Sequence, residues 1–277
     1  MKFGFVLPRG DARTAADFAL QAEASGWDGF FVWEPVWGID AWVSLAAAAM
    51  VTEKIRLGTM LSPLSRMRPW KIASETATLD NLSNGRVILS VGLGATDTGF
   101  NDFGEITDRK TRAQLLDESL QILTGLWSGQ PFKHNGTHYQ VKITKRTFQP
   151  PPPPVQEPRI PIWVVGAWPS KKSMHRAISY DGLLPAMLKD SGRVRMDPIQ
   201  PGELAEIKRF IDLNRESDDP FDIIIEGRTL EEEPLEAAQI VSSYRAAGAT
   251  WWIEAFWDEP DLERALARIT QGPPLRV

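Results

Sequence analysis

Eight short apolar runs in this sequence end on residues that could do chemistry. The ends fall at Arg9, Trp33-Glu34, Thr59-Met60, Gly92-Leu93-Gly94, Gly166-Ala167-Trp168, Pro185, Glu226-Gly227-Arg228 and Glu254. Glu34, Glu226 and Glu254 are carboxylates that could act as general acids or bases, or pair with Arg9 and Arg228 across a rim. Gly166 precedes Pro169-Ser170, which open a predicted helix, so its loop could turn amide N–H groups toward a phosphate. The same glycine could equally serve only the geometry of the turn. On the phosphate reading, Gly166→Val blocks the ligand and spares the fold. Trp33, Trp37 and Trp168 stand at these ends too, where aromatic rings either pack or line a pocket for a flat apolar ring.

Other chemistries lack residues to carry them. The chain has no cysteine, which excludes disulfides, thiolate nucleophiles and cysteine-ligated metals. His134 and His138 flank a predicted hairpin turn on a solvated insertion, and His175 lies on a predicted helix. With no HxH, HExxH or clustered aspartates, no metal site is expected, and without GxSxG a serine hydrolase has no nucleophile motif. The 31 basic and 36 acidic residues sum to −5 with no basic run, which argues against nucleic acid. No stretch is long and apolar enough to span a bilayer and no signal peptide is legible, so a cytoplasmic protein is expected.

The elements that must position these residues alternate strand and helix. Predicted strands cover Lys2–Pro8, Gly29–Trp33, Ile55–Met60, Val87–Val91, Ile162–Val165, Gly182–Leu184, Phe221–Glu226 and Thr250–Ala255. Predicted helices cover Thr14–Ser25, Ala41–Thr52 capped by Asp40, Pro69–Leu82, Lys110–Leu126, Lys171–Ser179, Pro201–Asn214, Leu235–Ala247 and Asp261–Gln271. Asn84-Gly85 supplies a left-handed stop after the third helix. Trp42 and Trp251 are candidate core residues. Eight such units predict an α/β fold, a (β/α)8 TIM barrel with an insertion after the fourth helix at about 128–161, as one domain over 1–277. A doubly wound open sheet is the alternative, but Pro8-Arg9-Gly10-Asp11 is not its glycine-rich turn. The insertion holds a two-residue turn centred on Asn135-Gly136 and an extended spacer with Pro150 to Pro154 and Pro158.

Several segments, in order, resemble the bacterial luciferase-like superfamily of flavin-dependent oxidoreductases. They are Ile55-Arg56-Leu57-Gly58-Thr59, Arg68-Pro69, Thr78 to Arg86 (TLDNLSNGR), Val91-Gly92-Leu93-Gly94, Leu126-Trp127-Ser128-Gly129, Gly136-Thr137-His138-Tyr139, Pro161 to Gly166 (PIWVVG) and Asp181-Gly182. The similarity runs from Lys2 to about Pro185; the last third shares only the strand-helix rhythm.

The resemblance implies a barrel that binds FMN or the deazaflavin F-420 at the strand C-termini, for hydride transfer or oxygen activation on a small apolar substrate. It implies that Thr59, Met60, Gly92, Leu93 and Gly94 border the cofactor ring, and that Gly166, Ala167, Trp168 and Pro185 hold its phosphate end. Arg9, Trp33, Trp37, Glu226 and Glu254 would then face the substrate. The sequence departs from the deazaflavin enzymes where Trp33-Glu34-Pro35 replaces their Asp-His pair, where Ala95 replaces a glutamate, and where Ala167 and Trp168 follow Gly166. These departures favour FMN and leave Glu34 as the candidate catalytic acid. A flavin reductase or NAD(P)H is the implied source of electrons. Two other readings stand beside this one: a catalytically silent flavin-binding barrel, and a non-flavin lyase or hydrolase using the rim glutamates. Apolar residues on more than one face of the second and third helices, among them Ala46 to Ala49, Ala73 and Ala77, predict a homodimer through those helices.

Overall fold

Short β-branched and aromatic runs bounded by glycine and proline form the strands, and aspartates set the helix starts. The computed structural model describes residues 1–7, 9–144, 151–189, 192–229, 234–257 and 261–274, and its elements alternate strand and helix apart from three short extra strands. The strands are β1 (Lys2–Leu7), β2 (Gly29–Val32), β3 (Arg56–Thr59), β4 (Ser62–Pro63), β5 (Val87–Gly92), β6 (Lys133–Asn135), β7 (Gln140–Lys142), β8 (Ile162–Trp168), β9 (Gly182–Met187), β10 (Asp222–Gly227) and β11 (Trp251–Glu254). The helices are α1 (Ala12–Ala24), α2 (Ala41–Val51), α3 (Pro69–Leu82), α4 (Arg109–Trp127), α5 (Lys171–Ile178), α6 (Pro201–Asn214), α7 (Pro234–Ala246) and α8 (Leu262–Gln271). Pro8 and Pro150, read above as a strand end and the start of the spacer, lie outside the described residues.

Eight parallel strands run β3-β2-β1-β11-β10-β9-β8-β5 and close when β3 pairs with β5 through Leu57–Val87 and Gly58–Ile88. This is the closed TIM barrel expected from the alternation. Asp11, Asp40, Asp108 and Asp261 each accept a backbone N–H at a helix start. Two features went unread in the sequence. Strand β4 adds Ser62–Pro63 to the upper end of β5, and β8 runs on to Trp168.

Inside the barrel, Phe31, Trp163 and Trp251 fill the lower half, with ring centroids 5.1–6.1 Å apart. Glycines on neighbouring strands make room for them. A Cβ on Gly4 would stand 2.8 Å from Phe31, and one on Gly182 would stand 2.4 Å from Trp163. Rings that large fit only where the facing positions lack side chains. The lower half is therefore solid, and a ligand site is left to the strand C-termini.

The N-terminal end of the barrel is tied by charge. Arg86 is buried and donates to the carbonyls of Ala49, Thr52, Ile55 and Ser83 and to Thr52 Oγ1, at 2.7–3.0 Å. Asp80 accepts the amides of Val155 and Gln156 and the Gln156 side chain. Asn81 donates to the carbonyls of Pro152 and Pro153. The proline spacer is thus strapped across the barrel floor, and the TLDNLSNGR segment fastens it, with Asn84 and Gly85 at φ 55° and 78° as expected.

The hairpin differs from expectation. Asn135 pairs with Gln140, so the turn is the four residues 136–139 rather than two, closed by Gly136 N–H donating to the Tyr139 carbonyl. The reason lies on α4, where the Glu118 carboxylate accepts the amides of Thr137, His138 and Tyr139. His134 meets the same carboxylate at 3.3 Å and His138 meets Gln114 at 3.2 Å. The histidines clamp the insertion to the barrel instead of standing in solvent.

Candidate functional site

Strand alternation decides which side chain faces the barrel interior. Phe31, Met60, Ile88, Trp163, Leu184 and Ile224 belong to the inner cluster. Continuing that alternation upward puts Trp33, Ser90, Gly92, Val165, Ala167, Ala186 and Glu226 on the inner side at the mouth. Thr59, Gly166, Trp168, Pro185 and Glu254 fall on the outer side.

The inner set has two features suited to a ligand. Ser90 Oγ is fully buried and has no hydrogen-bond partner, an expense proteins rarely leave uncompensated. Gly92 opens the wall, where a Cβ would stand 2.9 Å from Val165 and 3.1 Å from Leu61. The following loop is held in place by Arg112 of α4, which donates to the carbonyls of Leu93 and Gly94 at 2.8 and 2.9 Å. Gly94 takes φ +75°, and a side chain there would meet Phe100 and Pro63.

Glu34 sits just past β2 and is 8% exposed. Ser62 Oγ bonds its Oε2 and lies 2.9 Å from Thr59 Oγ1, which in turn reaches the Ser90 carbonyl at 3.3 Å. Arg66 donates to the Glu34 and Pro35 backbone carbonyls rather than to the carboxylate. Burial pushes the carboxyl up to about 7, opposed by the Ser62 bond and the Arg66 charge. The buried Trp42 indole N–H makes no hydrogen bond. When Glu34 is protonated, Glu34, Ser62, Thr59 and the Ser90 carbonyl can form one directional chain of donors. The alternative reading of Glu34 as a partner of Arg9 is not met, since Arg9 is exposed and Glu34 bonds Ser62.

Glu226 lies across the mouth. Its carboxylate remains open to solvent while barrel walls crowd it, and that crowding raises its pKa against the bond donated by Trp257 Nε1 at 2.8 Å. Trp257 meets Trp33 edge to face at 6.4 Å. Glu254, by contrast, is fully buried between sheet and helices. It accepts Thr229 N at 2.6 Å, Thr229 Oγ1 at 2.9 Å and Trp252 Nε1 at 3.0 Å, with Arg268 at 3.7 Å. Its expected place in the pocket is corrected by these partners. The three glutamates therefore face different surroundings and form no joint constellation.

The remaining expected site residues divide the same way. Gly166 faces α5, where a Cβ would stand 2.2 Å from Leu183 and 2.9 Å from Met174, so its missing side chain serves strand–helix packing. The Ala167 amide is already bound to Ser173 Oγ at 3.0 Å. Trp168 packs edge-on to Phe210 of α6, and Trp37 is 84% exposed beyond the mouth. Ser62, Arg66, Ser90, Arg112 and Trp257 were missed. Ser62 and Arg66 follow Thr59 by three and seven residues, beyond the point where the predicted third strand ends.

The luciferase-like monooxygenase family model matches residues 1–249. The chain belongs to that family. An uncharacterized protein of Mycobacterium tuberculosis is 35% identical over 144 residues, 52% of this chain and 49% of that protein. The F420-dependent glucose-6-phosphate dehydrogenase of Microbacterium testaceum is 30% identical over 207 residues, 65% of this chain and 60% of the relative. The oxygenase component of the flavin-dependent trigonelline monooxygenase of Acinetobacter baylyi is 31% identical over 128 residues, 46% of this chain and 34% of that protein. The chain thus matches from about a third to under two thirds of these relatives' lengths. In fold, this luciferase-like barrel resembles the F420-dependent tetrahydromethanopterin reductase of Methanopyrus kandleri, with TM-score 0.79, 17% identity and 98% of each chain covered. It also resembles the FMN-bound oxygenating constituent of 3,6-diketocamphane monooxygenase of Pseudomonas putida, with TM-score 0.74, 17% identity, and 100% and 98% covered. No helix among the described residues is long and apolar enough to cross a membrane.

Proposed function

We propose that the barrel mouth binds FMN or the deazaflavin F-420 and that the protein is an oxidoreductase or monooxygenase acting on a small organic molecule. The observation that carries this reading is the pairing of the orphaned Ser90 hydroxyl with the side-chain-free wall at Gly92. A planar heteroaromatic ring with polar edge atoms fits such a surface, since it needs close approach and at least one buried donor or acceptor. Met60 and Gly92 to Gly94 would border the ring, while Thr59, expected beside it, turns to the outer side. Ser170 makes no side-chain cap bond at the start of α5 and Lys171 and Lys172 follow it, which supports a phosphate end beside 166–168 and Pro185. When bound, a flavin or deazaflavin supplies hydride transfer or oxygen activation.

The chain's own residues supply position and protons. Glu34, pushed up to about 7, is protonated in about half of the molecules at neutrality and can hold or release a proton there, as a general acid must. Thr59 and Ser62 orient that carboxyl. The oxygenase-component relative supports a separate reductase, or NAD(P)H, as the electron source here. Helix α2 carries no charged residue and exposes Val43 (61%) and Met50 (70%), while α3 exposes Trp70, which supports a homodimer through these helices.

Titration with FMN and with the deazaflavin, followed by cofactor fluorescence, tests the reading. One of the two binds in the micromolar range, and Ser90→Ala weakens it about three- to tenfold by removing one hydrogen bond. No binding of either cofactor to folded protein overturns the reading.

A further inference from the structure

Glu226, Trp257 and Trp33 form a cluster that cofactor binding does not account for. It spans the arc of the mouth over β2, β1, β11 and β10, four consecutive strands of the barrel. Trp257 Nε1 donates to Glu226 Oε2 at 2.8 Å, and the two indoles meet edge to face at 6.4 Å with an interplanar angle of 75°. The inner side chains beneath are Val6, Ile224, Ile253 and Ala255, all apolar and buried.

Among the described residues, no cation is paired with the Glu226 carboxylate. Crowding by the barrel walls and the Trp257 hydrogen bond are the influences on Glu226, and no cation acts among them. Arg228 stacks over Phe256 at 5.0 Å, and Arg9 is exposed beyond the end of β1. Glu254, one strand away, displays the contrast: it has an arginine, two hydroxyl or indole donors and a backbone amide. A carboxylate crowded by protein with one neutral donor attracts a positive group, and two indole faces at a steep angle reinforce that attraction through their ring quadrupoles.

We infer that the mouth recognises an organic ammonium head group, held between the Glu226 carboxylate and the faces of Trp33 and Trp257, on a substrate whose remaining body is apolar. The inference rests on the mouth being the substrate site and sharpens the substrate class beyond an apolar molecule. Glu226 and the two tryptophans act as specificity-determining residues; no bond is made or broken by them.

The test compares choline with its neutral carbon isostere 3,3-dimethylbutan-1-ol, each titrated into the full chain with and without saturating FMN or deazaflavin. Binding is followed by calorimetry and by the indole N–H resonance of Trp257, assigned by its loss in Trp257→Phe. Choline binds about tenfold more tightly than the isostere and moves the Trp257 resonance. In Glu226→Gln, which keeps size and shape, the preference collapses to within about twofold. Trp33→Leu reduces it by a smaller factor while the circular dichroism spectrum stays unchanged. Equal affinity for the two probes, binding of neither, or a preference that survives Glu226→Gln overturns the inference. Cofactor binding without choline preference defeats this inference alone. Choline preference without cofactor binding defeats the proposed function and leaves the cation site standing.

Discussion

At the floor of the barrel, Arg86 meets four carbonyls and a hydroxyl, and Asp80 is bonded by two amides and a glutamine. At the mouth, Ser90 Oγ has no partner and Glu226 has one. Both ends belong to the same eight strands, and both carry polar groups packed among apolar walls. The difference is where the partners come from. Arg86 and Asp80 at the floor are satisfied within the chain and act as staples, whereas Ser90 and Glu226 at the mouth keep capacity that a ligand can fill. The TLDNLSNGR segment, prominent in the family resemblance, fastens the spacer to the barrel floor.

That contrast can be broken or sharpened by substitution. Arg86→Met strands several buried carbonyls and costs about 3–5 kcal/mol of folding free energy, read from urea unfolding. Cofactor affinity of the folded variant stays unchanged, and a loss below about 1 kcal/mol would contradict the staple role. Glu34 should show the opposite signature. Its folded carboxyl, at about 7, lies above the ordinary 4.5, so the fold prefers the protonated form. Its contribution to stability is complete below pH 4.5 and is lost as pH rises through 7. The loss is on the order of 3 kcal/mol, so the unfolding midpoint of wild type falls with pH across this window while that of Glu34→Gln does not. The same variant keeps cofactor binding and lowers turnover about 100-fold if Glu34 is the acid.

Gly166→Val tests the boundary between the two roles. With a Cβ 2.2 Å from Leu183, the change costs about 1–3 kcal/mol of stability through overpacking of α5 on β8. An unchanged melting temperature would restore the ligand-facing reading of this glycine. The smallest effect is expected at the surface, where Val43→Lys with Met50→Lys leaves the fold intact and converts the dimer to the 31.0 kDa chain in light scattering. A wild type already at that mass sinks the dimer.

The strand-helix alternation, the Asp40 cap, Pro69 at its helix start and the left-handed Asn84-Gly85 stop were legible because each depends on local chemistry. Buried Trp42 and Trp251 were legible by size and apolarity. The faces of rim residues were not. The predicted fifth strand ends at Val165, but β8 keeps alternating to Trp168, so of Gly166, Ala167 and Trp168 only Ala167 turns inward. One residue of error in a strand end exchanges the pocket for the helix layer. The Asn135-Gly136 turn was overridden by Glu118, and Glu254 was claimed by Arg268 and Thr229, partners that sequence proximity does not reveal.

The most direct test of the account is hydrogen–deuterium exchange with and without the cofactor that binds. Protection should rise in peptides covering 59–63, 90–95 and 165–173 at the mouth, while 80–86 and 152–156 at the floor, already bonded within the chain, stay unchanged. Protection centred on the floor segments, or none at the mouth under saturating cofactor, would contradict the assignment of staples to one end and the ligand site to the other.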